Sequence, residues 1–195
     1  MKNIVCLFVC LFSGVANATL IDFDNLPGGG TLATNSILTN QYSSLGVTFS
    51  ATENSSIVDS AVITLSGFSG NYWANTTSNS FGPRHDILSI MFNSGAENIN
   101  WLTQAHGAST ITFNAFDNSS NLLETVTSNG SWEFTSFVSS GIYKIEMLQP
   151  DDHWGWGLDN LSFDTNLSTV PEPTSLALLG LGLAGIGFSR KKKTA

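Results

Sequence analysis

Apolar and polar residues alternate with period two along most of this chain. The first such runs are Leu20-Ile21-Asp22-Phe23-Asp24, Val47-Thr48-Phe49-Ser50, Ala61-Val62-Ile63-Thr64-Leu65, Ile87-Leu88-Ser89-Ile90-Met91-Phe92 and Ile99-Asn100-Trp101-Leu102. Thr110–Phe116, Leu122–Val126, Trp132–Thr135, Ile142–Met147 and Leu158–Phe163 complete the set. Each is rich in β-branched and aromatic residues and is bounded by Gly, Asn, Ser or Asp, the signature of short strands joined by turns. No stretch between residues 19 and 165 sustains a helical period over three turns. About ten strands without βαβ alternation predict an all-β fold, an antiparallel jelly-roll β-sandwich. "DNSSN" at Asp117–Asn121 reads as the hairpin turn between Thr110–Phe116 and Leu122–Thr127.

Both ends break the alternation. Residues 1–18 combine Lys2, an apolar stretch from Ile4 to Phe12 and Ala16-Asn17-Ala18, which predicts a secretory signal peptide. Both cysteines, Cys6 and Cys10, lie within it, so the chain beyond residue 18 can form no disulfide. Residues 166–170 read as a polar linker. Residues 171–195 hold an apolar run followed by Arg190-Lys191-Lys192-Lys193. Thr174–Ser189 as a helix would be about 24 Å long at 1.5 Å per residue, short of the roughly 30 Å of bilayer hydrocarbon. A single C-terminal transmembrane helix of that length serves as a temporary tether, with its cations on the cytoplasmic side.

Charge narrows the partners. Between residues 19 and 165 stand fourteen acids against Arg84 and Lys144, a net charge of −12. Such a surface repels phosphate backbones, so nucleic acid is excluded as a partner.

Two constellations could carry chemistry. Asp22 and Asp24 are two apart on the expected first strand and so share a face. If the first and last strands pair, Asp159 in "LDNLSF" joins them, and with Asn25 or Asn160 the set could hold a structural Ca²⁺. Tyr72-Trp73 in "GNYWAN" and Trp154 with Trp156 in "DDHWGWG" sit in Gly/Asn/Asp-rich contexts, where flat rings beside amides and carboxylates suit a sugar. Trp101 and Trp132, in alternating runs, are expected in the core; packing of all five tryptophans inside the sandwich is the alternative. Catalysis has no motif behind it. His85, His106 and His153 lack zinc-ligand spacing, there is no G-x-S-x-G, and Gly180-x-Gly182-x-x-Gly185 lacks the βαβ unit a dinucleotide site needs. The expectation is a protein that is not an enzyme.

Val170-Pro171-Glu172-Pro173, the apolar Leu176–Phe188 and the basic Arg190–Lys193 closely resemble the PEP-CTERM sorting signal of Gram-negative bacteria. The resemblance implies processing by an exosortase at or near Pro171, Glu172 and Pro173, a transient inner-membrane anchor, and delivery to the periplasm, cell surface or exterior. Proteins with this signal are typically associated with exopolysaccharide, biofilm or the cell surface. "IDFDNLPGGG", "LTNQYSSLGVTFS" and "GWGLDNLSF" resemble the opening and ending of sandwich domains attached to this signal, themselves similar to carbohydrate-binding modules and galactose-binding-like folds. Where those modules carry calcium, its ligands come from the first and last strands, which matches Asp22, Asp24 and Asp159 in position. The functional expectation is an exported surface or matrix protein that binds polysaccharide. The alternatives are a structural or adhesive biofilm-matrix component without a sugar site, and a glycan hydrolase.

Overall fold

One strand organises the molecule. In a computed structural model β6 (Ile87–Ala105) runs for 19 residues and hydrogen-bonds to four other strands. The structure describes residues 18–64, 70–76, 86–105, 110–129, 132–148 and 155–165, without the side chains of 104 and 105. The expected signal peptide (but for Ala18), linker, sorting signal and C-terminal helix lie outside these residues, as does Trp154. Among the described residues no helix is long and apolar enough to cross a membrane.

The remaining strands are β1 (Thr19–Ile21), β2 (Val47–Glu53), β3 (Ser56–Val58), β4 (Ala61–Ile63), β5 (Tyr72–Ala74), β7 (Ile111–Phe116), β8 (Leu122–Ser128), β9 (Glu133–Ser136), β10 (Ile142–Leu148) and β11 (Trp156–Thr165). Every ladder is antiparallel. The first half of β6 lies between β2 and β10, giving a layer in the order β3-β2-β6-β10-β7-β8. Its second half lies between β11 and β9, giving a layer β4-β5-β11-β6-β9, with β1 beside β11.

Ring contacts between strands that share no ladder show the layers face to face. Phe49 of β2 meets Trp73 of β5 at 4.8 Å, and Trp101 of β6 meets Phe113 of β7 at 4.8 Å. The fold is thus the antiparallel sandwich that the alternation predicts. Two of the expected strands, Ile87–Phe92 and Ile99–Leu102, are one; β3 and β5 were not foreseen.

Crossing between layers requires the inward face of β6 to be reset. Leu88, Ile90 and Phe92 are buried on even positions, then Ile99, Trp101 and Thr103 on odd ones. Asn98 between them has φ +53, a left-handed residue that inserts one step into the alternation. β11 does the same at Asn160, φ +51: Trp156 and Leu158 are buried before it, Leu161 and Phe163 after it. The Asn98 side chain donates to the Asp164 carboxylate at 2.8 Å, tying β6 to β11 beside the bulges. Gly95 lies where β6 passes the start of β10; a Cβ there would stand 3.1 Å from Gly141 Cα.

Candidate functional site: a carboxylate cluster and two outer faces

The first and last strands pair as expected, with Thr19, Leu20 and Ile21 opposite Phe163, Ser162 and Leu161. The shared face expected for Asp22 and Asp24 does not form in the expected way. β1 ends at Ile21, and Phe23, at φ +55, turns its ring fully into the core between Tyr42 and Phe49. Asp22 accepts from the backbone N–H groups of Asp24 and Asn25, each at 3.0 Å, and from the Asn25 amide at 2.9 Å. Asp24 accepts from the Asn71 backbone N–H at 2.7 Å, and Asn71 in turn donates to the Leu32 carbonyl. Asp159 accepts from its neighbour Asn160.

Asp159 senses the other two carboxylates. Burial above all pushes Asp159 up to about 6; the Asn160 N–H pulls it down, and the charges of Asp24 and then Asp22 add smaller upward pushes. For Asp22, burial pulls upward but is outweighed by the Asn25 and Asp24 donors, which hold it below the ordinary carboxylate value. The Tyr42 hydroxyl is pushed up to about 12 by burial and then by Asp22 and Asp24. Yet among the described residues no group of three or more His, Cys, Asp or Glu side chains is placed to hold a metal ion. Calcium needs six to eight converging oxygens. Asp22, Asp24 and Asp159 each accept from nearby amides.

The expected sugar platform is also rearranged. Trp73 is 0% and Trp156 3% exposed; both rings point between the layers, where no pyranose can stack. Trp73 donates its indole N–H to Ser60 Oγ at 2.8 Å, and Trp156 packs on Phe113. Tyr72 is half-buried on the outward side of β5, and burial raises its hydroxyl pKa well above the usual range. Its ring lies over Gly157, where a Cβ would run into it. Trp101 is buried as expected, but Trp132, also expected in the core, is 50% exposed at φ +48.

Two uncovered surfaces were missed. Across the outer face of the first layer the register aligns Thr48, Met91, Lys144, Phe116 and Leu122, one from each of β2, β6, β10, β7 and β8. The next row aligns Ser50, Ser89, Glu146, Asn114 and Thr125. None of these ten is buried. Lys144, the only lysine or arginine among the described residues, bonds Glu146 at 2.8 Å and stands 4.5 Å over the Phe116 ring. An apolar row carrying one fixed ammonium thus borders a row of hydroxyls, an amide and a carboxylate. On the second layer, Asp159, Leu102 and Phe134 align across β11, β6 and β9, beside Leu20, Ser162, Asn100 and Ser136. The signal for these rows was the polar half of each alternating run; their cross-strand order depends on pairings that no local pattern states.

Residues 169–191 match the PEP-CTERM protein-sorting motif, so the chain carries the C-terminal signal of an exported protein. No curated protein matches it. Among solved structures it is similar to a lysine-to-alanine variant of a family 29 carbohydrate-binding module, at 13% identity, TM-score 0.40, covering 75% of this chain and 91% of that one. Another variant of that module, complexed with cellulohexaose, gives 13%, 0.40, 78% and 94%. The Clostridium thermocellum endo-1,4-beta-D-xylanase 10B modules, complexed with xylohexaose, give 9%, 0.32, 78% and 28%. These likenesses concern the β fold alone.

Proposed function

We propose that this is an exported, non-catalytic surface protein whose sandwich binds neutral polysaccharide across the outer face of the first layer. The observation carrying this reading is the pair of aligned rows. Pyranose rings are amphipathic, with C–H faces that lie on apolar side chains and hydroxyls that both donate and accept. Met91, Phe116 and Leu122 supply the floor; Lys144 donates; Glu146, Asn114, Ser89 and Ser50 accept or do both. The bonds to Glu146 and the contact with Phe116 fix the ammonium before any ligand arrives, which lowers the entropy cost of binding. The net charge of −12 between residues 19 and 165 disfavours anionic polymers. Delivery follows from the sorting motif: the signal peptide exports the chain, the C-terminal helix holds it transiently at the inner membrane, and an exosortase cleaves at or near Pro171-Glu172-Pro173.

Affinity electrophoresis in gels containing hydroxyethylcellulose, glucomannan, xylan or alginate tests the binding. The protein is expected to be retarded by at least one neutral polymer and not by alginate. Lys144→Met and Glu146→Gln should each weaken that binding about tenfold, equivalent to 1.4 kcal/mol. No retardation by any neutral polymer would favour a structural matrix component instead. Intact mass of the secreted protein tests the processing: a mature form retaining Arg190–Ala195 would contradict it.

A further inference from the structure

The second layer repeats the design of the first on the opposite side of the molecule. Phe134 is 70% exposed in the middle of β9, and Leu102 beside it and Asp159 beyond are half-buried, so the row is open to solvent. The adjacent row sets Ser136, Asn100 and Ser162 side by side, ending on Leu20 at 61% exposure. An exposed ring and aliphatic neighbour next to hydroxyl, amide and hydroxyl is the same pairing of apolar floor and hydrogen-bonding border found around Phe116 and Lys144. One difference is electrical. No cation lies on this face among the described residues, while Asp159 and Asp164 do, so it accepts hydroxyl hydrogens and repels anions.

We infer that this face is a second site for a neutral pyranose polymer, resting on the polysaccharide reading above, and that one molecule bridges two chains. The geometry favours the bridge. The two rows of sites face away from each other through the thickness of the sandwich, so a single extended chain engages one face only. Occupying both requires two chains or a chain that loops back. Linking in this way builds apparent affinity for a polymer network without further contacts. It gives a matrix protein its task, which is to hold strands of polysaccharide together rather than to coat them.

The experiment mixes the purified protein with soluble glucomannan and measures both binding stoichiometry, by titration calorimetry with short oligosaccharides of the same polymer, and cross-linking, by light scattering of the long polymer. Expected are two oligosaccharides per chain and a rise in scattering that passes through a maximum and falls at excess protein. Phe134→Ser and Lys144→Met should each weaken one of the two sites about tenfold, so that a titration run below the weakened Kd registers one oligosaccharide per chain and the scattering maximum is lost, while the circular dichroism spectrum stays unchanged. A stoichiometry of one, lost in Lys144→Met and untouched in Phe134→Ser, overturns the second site and leaves the first-layer reading standing. Absence of any binding by the unmodified protein overturns both. Scattering that persists in Phe134→Ser places the cross-link elsewhere and overturns this inference.

Discussion

Trp101 and Phe134 occupy adjacent positions on neighbouring strands and have opposite fates. Trp101 faces Thr135 on the inward side of the second layer and is fully buried; one step along, Leu102 faces Phe134 on the outward side, and the ring is 70% exposed. Both are large aromatics in alternating runs. What separates them is parity along the strand, set on β6 by the bulge at Asn98. Inward rings fill the space between layers; outward ones are available to partners. Surrounding composition is a poorer guide: Trp73 and Trp156, in Gly- and Asn-rich surroundings, are core, while Trp132 and Phe134 are not.

Substitutions on the two sides of this layer test that division. The largest effect belongs to Trp101→Ala, which removes contacts to Phe113 and Phe137 and should cost about 3–5 kcal/mol in a denaturant melt; a loss comparable to a surface change would mean the ring is not core. Gly157→Ala comes next. Its methyl collides with the Tyr72 ring, and the expected cost is about 1–3 kcal/mol, restored in part by pairing it with Tyr72→Ala.

Asp159 gives a smaller, pH-dependent effect. Its folded pKa of about 6 exceeds the ordinary 3.8, so the folded state binds the proton more tightly and the charged form opposes folding. That penalty is present above pH 6 and is relieved as pH falls toward 4. A half-exposed group is partly screened, which reduces the effect to about 1 kcal/mol. Thermal melts should therefore show stability falling as pH rises from about 4 to about 6 and levelling off above that, and Asp159→Asn should flatten the curve by stabilising the alkaline end. Asp22, held low, acts only below its ordinary value, where its contribution is lost on acidification. Phe134→Ser should change stability by less than about 0.5 kcal/mol. Chelator tests the expected calcium set of Asp22, Asp24 and Asp159: a fall in melting temperature means that a cation gathers them, and an unmoved one means that their amide donors suffice.

Much of the architecture was legible in the period-two runs, and the Asp117–Asn121 hairpin turn falls where its residues place it. Even the bulges leave a trace: in "WGLDNLSF" the buried positions go two, three and two apart, with Asn160 in the long gap. The site was less legible. Asp24 meets Asn71 across 47 residues, and Phe134 meets Leu102 across 32, so neither neighbourhood exists in any local window. Phe23 was misread because its left-handed backbone ends β1 early, which no strand propensity signals.

The placement of β11 has a mechanical consequence. The chain leaves the described sandwich at Thr165, the end of a ten-residue strand flanked by β6 on one side and by β5 and β1 on the other. On the proposed reading, in which a tether follows residue 165, a pull on it enters an interior strand and loads these ladders in shear. Many hydrogen bonds must give way together, where an edge strand pulled sideways would unzip one bond at a time. Anchored as proposed, such a protein can take up tension between the membrane and whatever its faces hold.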